Sequence, residues 1–165
     1  MMLISILLSL LLSLPLSLHA EVKKNMINIG SAEFYWAFFK VYDVALYTES
    51  GRYDASQFPL ALRIKYARKI KNTDLIDSTI QEWKKQNIQW KNTWIDELSQ
   101  IWPSVNENDE LMLYVDKQQV SYFYLNNEML GSINDPLFAS RFLSIWLSEK
   151  TTQPTLRKQL LGIES

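Results

Sequence analysis

Apolar and polar positions along this chain fall into two periods, one of two residues and one near 3.6, and together they predict a sheet covered by helices. The densest apolar run, Phe34 to Tyr47 (FYWAFFKVYDVALY), crowds aromatic and aliphatic residues around two charges, Lys40 and Asp43. Its apolar residues fall on every helical face, and its Phe, Tyr, Trp and Val content, followed by a turn at Ser50 and Gly51, favours buried strand. The run is long for one strand, so a bend within it is expected. Strict alternation puts Phe34, Trp36, Phe38, Lys40, Tyr42, Val44 and Leu46 on one face and sets Lys40 among aromatics. Two fates are then open to Lys40. Its stem packs on the rings while the ammonium reaches solvent at a sheet edge, or the amine lies in a cleft and meets an anion.

Met26 to Ile29 reads as a short strand that turns at Gly30 and Ser31 into the long run, giving an antiparallel hairpin. Leu60 to Tyr66 alternates Leu60, Leu62, Ile64 and Tyr66 against Ala61, Arg63 and Lys65, a strand with one polar face. Helical spacing follows. Asn72 or Thr73 is a candidate N-cap, Asp74 and Asp77 suit the first turn, and Leu75, Ile76, Thr79, Ile80 and Trp83 make one face of a helix ending near Asn87. A second helix from about Asn92 carries Trp94, Ile95, Leu98, Ile101 and Trp102 and stops at Pro103. The tryptophans repeat with these faces, which marks them as core. Leu111 to Val115, Val120 to Leu125 and Glu128 to Ile133 form a three-strand meander. Asp135 then caps a helix opened by Pro136, with Leu137, Phe138, Phe142, Ile145 and Trp146 on its apolar face, and a last helix runs from Pro154 to Gly162. The class is α+β: an antiparallel sheet of about six strands covered by helices on one face.

The chain has 165 residues, 47% hydrophobic and 13% aromatic, with a formal net charge of -1 and no cysteine. That length fits one domain, and the near-neutral balance without a long basic run argues against nucleic acid as partner. Residues 1–20, MMLISILLSLLLSLPLSLHA, are Leu- and Ser-rich, carry no acidic, Lys or Arg side chain and end in Ala20 before a charged stretch. They read as a signal peptide preceding a single domain over 21–165, with export to the periplasm and no stable membrane span after cleavage; an uncleaved anchor is the alternative. Without cysteine, the domain depends on its core rather than on disulfides. The only histidine, His19, lies in the leader, so the domain lacks both thiol and imidazole chemistry. No nucleotide loop, GxSxG or HExxH motif is present, and nothing implies a cofactor or a metal. What remains is a set of strand-borne Lys, Arg and Tyr residues, Lys40, Tyr42, Arg63, Tyr66 and Arg68, suited to holding a carboxylate or phosphate beneath an apolar tail.

The C-terminal third carries two distinctive runs, GxIxDPxFAxxFxxIWL (Gly131 to Leu147) and TxxPxLRxxLLG (Thr151 to Gly162). With KVYDVALY at Lys40 to Tyr47, they resemble the bacterial, exported branch of the chalcone isomerase-like family over nearly the whole mature chain. The resemblance implies an open-faced β-sandwich with a ligand cleft between long strands and helices. Carried over residue by residue, the isomerases' essential Arg falls near Asn28, their strand Thr at Lys40, the cleft Tyr near Lys71, the helix Asn near Ser78 and the late-helix Thr at Ile145. None of these is retained, so flavanone chemistry is not expected. The family also contains non-enzymatic fatty-acid binders that hold a carboxylate with an Arg and a Tyr. The expected function is therefore non-catalytic binding of a fatty acid or similar amphiphile, with Trp36, Phe38, Lys40, Tyr42, Tyr66, Lys71, Ser78 and Ile145 as candidate ligand-binding residues and Lys40 standing in for the missing Arg. The alternatives are an envelope protein-interaction module, its partner unknown, and an intramolecular lyase. Cleavage after Ala20 makes Glu21 the first residue that N-terminal sequencing of the exported protein should read.

Overall fold

A computed structural model of the chain describes residues 25–163; the expected leader, residues 1–20, lies outside them. Six strands, β1 (Ile27–Trp36), β2 (Phe39–Thr48), β3 (Leu60–Tyr66), β4 (Glu110–Val115), β5 (Ser121–Leu125) and β6 (Glu128–Ile133), form one antiparallel sheet in the order β1-β2-β3-β4-β5-β6. Among the described residues four helices accompany the sheet: α1 (Asn72–Lys85), α2 (Asn92–Ile101), α3 (Pro136–Leu147) and α4 (Pro154–Leu160). The α+β class and the open sheet layered with helices are as the pattern predicts.

The first two strands differ from the expectation. The apolar run is two strands of a hairpin, separated by a turn at Ala37 and Phe38, with Ala37 in the left-handed region at φ 53°. Gly30 and Ser31, expected as the turn, lie inside β1 beside a register shift between Asn28 and Gly30. Short hairpin turns favour Asn, Asp or Gly, and neither Ala37 nor Phe38 is one of these, so nothing local marked the break. Gly30 answers to packing instead: a Cβ there would overlap the backbone carbonyl oxygens of Gln159 and Leu160 in α4.

One face of the sheet carries the main core. Val44, Leu46, Leu62, Ile64, Leu113 and Phe123 meet the buried faces of the helices, which include Trp83, Leu98, Phe138 and Leu160. The aromatics interlock edge to face: Trp94 on Phe138 at 5.6 Å, Trp102 on Phe123 at 5.5 Å, and Phe123 on Phe142 at 5.8 Å between ring centroids. Each such pair adds about 0.5–1.5 kcal/mol beyond its buried area. The Trp83 indole N–H, deep in this layer, donates to the Arg141 carbonyl at 2.8 Å, which removes the cost of burying it. The opposite face holds a smaller cluster, Ala61, Met112 and Tyr124, flanked by Met26, Tyr47, Tyr114 and Tyr122. Among the described residues no helix is long and apolar enough to cross a membrane.

The motif residues of the C-terminal third hold the helices in place. Asp135 caps α3 by accepting from the Leu137 N–H at 3.1 Å, and its other oxygen accepts from Lys91 Nζ at 2.5 Å and Trp94 Nε1 at 3.0 Å. Arg157 Nε donates to the Leu147 carbonyl at 2.8 Å and Thr151 Oγ1 to the Ile145 carbonyl at 2.7 Å, satisfying the C-terminal end of α3. Contrary to expectation, neither Asn72 nor Thr73 caps α1; Lys71 holds that position without a side-chain cap, and Asn72 Nδ2 donates to the Trp102 carbonyl.

Removing the Asp135 carboxylate leaves a helix end and an indole N–H without their acceptor. Asp135→Ala should lower stability by about 1–3 kcal/mol in urea unfolding. The Lys91 hydrogen bond chiefly, with smaller help from Trp94 and the Leu137 N–H, holds the Asp135 carboxyl below its usual range. Its contribution should be complete above the unfolded value of about 3.9 and be lost as pH falls through the lower folded value, a loss absent in Asp135→Ala.

Candidate functional site

Two cross-strand pairings bring aromatic rings together at one end of the sheet. Phe34 of β1 lies opposite Tyr42 of β2, and Tyr42 lies opposite Tyr66 of β3. The Phe34 and Tyr42 rings stack with centroids 4.9 Å apart, and Tyr42 meets Tyr66 edge-on at 6.3 Å. From α3, the Trp146 indole N–H donates to the Tyr42 hydroxyl at 3.1 Å while its ring packs on Phe142 at 5.4 Å.

These contacts set the chemistry of two phenols. Burial pushes the Tyr42 hydroxyl up to about 12, against a smaller downward pull from Trp146, although part of the side chain remains at the surface. Tyr66 is displaced further upward, by burial first and by the neighbouring Tyr42 second. Both are therefore neutral at physiological pH and available as donors. The Tyr42 oxygen already accepts from Trp146, and among the described residues no acceptor receives either phenolic proton.

Of the eight candidate residues, the structure brings Tyr42 and Tyr66 together and disperses the rest. Trp36 and Phe38 stand at the hairpin tip, 69% and 95% exposed, and wall no cleft. Lys40 leaves the Tyr42 face altogether. Phe34 pairs with Tyr42 but Tyr35 pairs with Lys40, so β2 carries one extra residue at this point. Such a bulge turns a side chain to the other face of the sheet. Lys40 Nζ accordingly lies 2.6 Å from both Glu33 Oε1 and Asp43 Oδ1, a cross-strand pair on the helix-free face. The Lys40 hydrogen bond, with a second from the Tyr35 hydroxyl, holds the Glu33 carboxyl below its usual range. Lys40 is itself displaced upward, by Asp43 first and Glu33 second. Lys71 is exposed just before α1, and Ser78 lies on the exposed side of that helix. Ile145 is buried in α3, and its carbonyl accepts from Gln86 Nε2 at 3.3 Å and Thr151 Oγ1.

Asn28, where the resemblance places an Arg, pairs with Tyr47 at the far end of the hairpin. Trp146 is the site residue that sequence reasoning left in the core. Its place in the IWL run was visible, but its reach to Tyr42, 104 positions away, was not.

Two surface depressions lie away from the two phenols: one of about 640 Å³ between α1 and α2, lined by Lys84, Asn87 and Trp90 among others, and one of about 460 Å³ beside Ile29, Arg52, Tyr53 and Leu161. Among the described residues no group of three His, Cys, Asp or Glu side chains is placed to hold a metal ion.

A family profile described as chalcone isomerase-like matches residues 23–162. A protein of Haemophilus influenzae, itself uncharacterised, is 33% identical over 136 residues, covering 81% of this chain and 67% of that protein. The crystal structure of the Arabidopsis thaliana fatty-acid binding protein AtFAP1 superposes with a TM-score of 0.66 over 84% of this chain and 87% of that one. Its sequence identity is 12%, so the likeness is one of fold.

The two phenols make stability sensitive to high pH. In the unfolded chain a tyrosine ionises near 10, whereas Tyr42 and Tyr66 resist ionisation in the folded protein. Above pH 10 the unfolded state therefore binds fewer protons, and stability falls, by at most about 1.4 kcal/mol per pH unit for each such group. Urea midpoints measured from pH 8 to 11.5 should decline beyond pH 10, and less steeply in Tyr66→Phe.

Proposed function

This chain belongs to the chalcone isomerase-like family, and on that premise we propose that it is a non-catalytic binder of an amphiphile, a fatty acid or a similar molecule with a carboxyl or carbonyl head. One observation carries this reading: Tyr42 and Tyr66 present two neutral phenolic donors side by side, without an acceptor among the described residues, against a wall of aromatic rings. A carboxylate head accepts both protons, and charge-assisted bonds of this kind are about twice as strong as neutral ones. The tail lies along Phe34 and the apolar edge of α3. Entry is past Phe34 and Tyr42, whose side chains are partly exposed and must shift to admit it. AtFAP1, a fatty-acid binding protein by description, shares the fold and brings fatty acids forward as the ligand class.

The same geometry favours binding over catalysis. The two phenols keep their protons far above neutral pH, and the isomerases' motif residues have no counterparts at Asn28, Lys40, Lys71, Ser78 and Ile145. Export to the periplasm, through cleavage after Ala20, is part of the proposal.

Displacement of a fluorescent fatty-acid analogue by palmitate tests the reading. Tyr42→Phe combined with Tyr66→Phe should weaken palmitate binding by roughly ten- to a hundredfold, the loss of about 1.5–3 kcal/mol of charge-assisted bonding. Lys40→Met, on the other face of the sheet, should leave affinity within about twofold. Binding that survives the double Phe change but disappears in Arg52→Gln would move the site to the depression beside Tyr53. Absence of palmitate binding by the unaltered protein would refute the proposal.

A further inference from the structure

The hairpin joining β1 and β2 ends in four exposed aromatic side chains: Tyr35 (49% exposed), Trp36 (69%), Phe38 (95%) and Phe39 (63%). Rings of this size gain free energy by leaving water, so a cluster left exposed at the end of a projecting turn calls for a partner. The chain beside it is basic. Ala67 N donates to the Val41 carbonyl at 2.9 Å, so Arg68 and Lys69 continue from β3 next to the start of β2, with Lys71 just beyond. All three cations are exposed, and among the described residues none takes part in an ion pair. The nearby acids of the hairpin, Glu33 and Asp43, are both engaged by Lys40.

We propose that this hairpin tip is a membrane-docking wedge, whose Trp36, Phe38 and Phe39 rings enter the interface of an anionic lipid bilayer while Arg68, Lys69 and Lys71 contact its headgroups. The shape and the charge both favour a bilayer over a protein. A stable protein contact needs about 800 Å² of matched surface on each partner, whereas a two-residue turn is a narrow convex point that a fluid interface accommodates. Aromatic rings settle at the headgroup level, and basic side chains near an anionic leaflet add an attraction that falls off within a Debye length. The wedge lies at the same end of the sheet as Tyr42 and Tyr66. Docking is separate from the amphiphile reading and survives its failure.

Because the chain contains no cysteine, a single one can be labelled selectively. An environment-sensitive dye at Phe38→Cys in the full chain reports on the tip alone, and one at Gln118→Cys, in the β4–β5 turn at the opposite end of the sheet, serves as control. With vesicles of phosphatidylethanolamine and phosphatidylglycerol, the dye at 38 should shift to the blue and brighten severalfold while the dye at 118 does not. Changing Arg68, Lys69 and Lys71 together to Gln should raise the lipid concentration at half-response by about tenfold or more. Trp36→Ser with Phe39→Ser should do the same without altering the thermal midpoint. An unresponsive tip, equal responses at 38 and 118, or insensitivity to loss of the three cations would overturn the proposal. So would a response that follows protein concentration without lipid, which would assign the tip to a second copy of this chain.

Discussion

The carboxylate of Asp135 is the point on which the helical layer depends. One oxygen starts α3 and the other binds Lys91 and Trp94 at the beginning of α2, so a single side chain fixes two helices against one another. The far end of α3 is held by Arg157 and Thr151 from the segment that follows it. Pinned at both ends, α3 buries Phe138, Phe142 and Trp146 against the sheet. Each is large enough that a small rotation of the helix would open a void or force a clash, and interiors packed at crystal-like density tolerate neither. The motif that carries the family resemblance is thus a set of fastenings for the fold.

A single extra residue in β2 governs the other half of the molecule. Upstream of the bulge, Lys40 joins Glu33, Asp43 and Tyr35 in a polar cluster on the helix-free face. Downstream, Tyr42 faces the helices with Phe34 and Tyr66. Without the bulge the lysine would share a face with the phenols, and its ammonium would have to be desolvated or paired there. With it, charge and aromatic surface are separated by the thickness of the sheet. The phenols are left as neutral donors in an apolar setting, suited to accepting an anionic head without the standing cost of an unpaired cation.

The same hairpin divides into two kinds of aromatic surface. At Phe34 and Tyr42 the rings pack inward against α3; a few residues further, at the turn, they project into solvent beside a basic segment. The proposed amphiphile site and the proposed wedge for a lipid interface belong together physically, because a ligand with an apolar tail partitions into membranes and is most readily taken up next to one.

Sequence alone determined the period of nearly every element. β3, the three meander strands and all four helices follow the expected spans closely, because each carries a clean two- or 3.6-residue repeat bounded by Pro, Asn, Asp or Gly. Trp83, Trp94 and Trp102 are core for the same reason, and Asp135 is the cap that its place before Pro136 implies. The hairpin at Ala37 and Phe38 was not legible, since an apolar run broken by an apolar turn has no local mark. Nor was the bulge, which is a property of two strands in register and not of either one. From these two features follows almost everything about the site: which face Lys40 occupies, why Trp36 and Phe38 meet solvent, and how Trp146 reaches Tyr42. Periodicity is set by neighbours in the chain and can be read along it; the side of the sheet on which a given charge emerges depends on pairing between distant residues, and only the tertiary structure decides it.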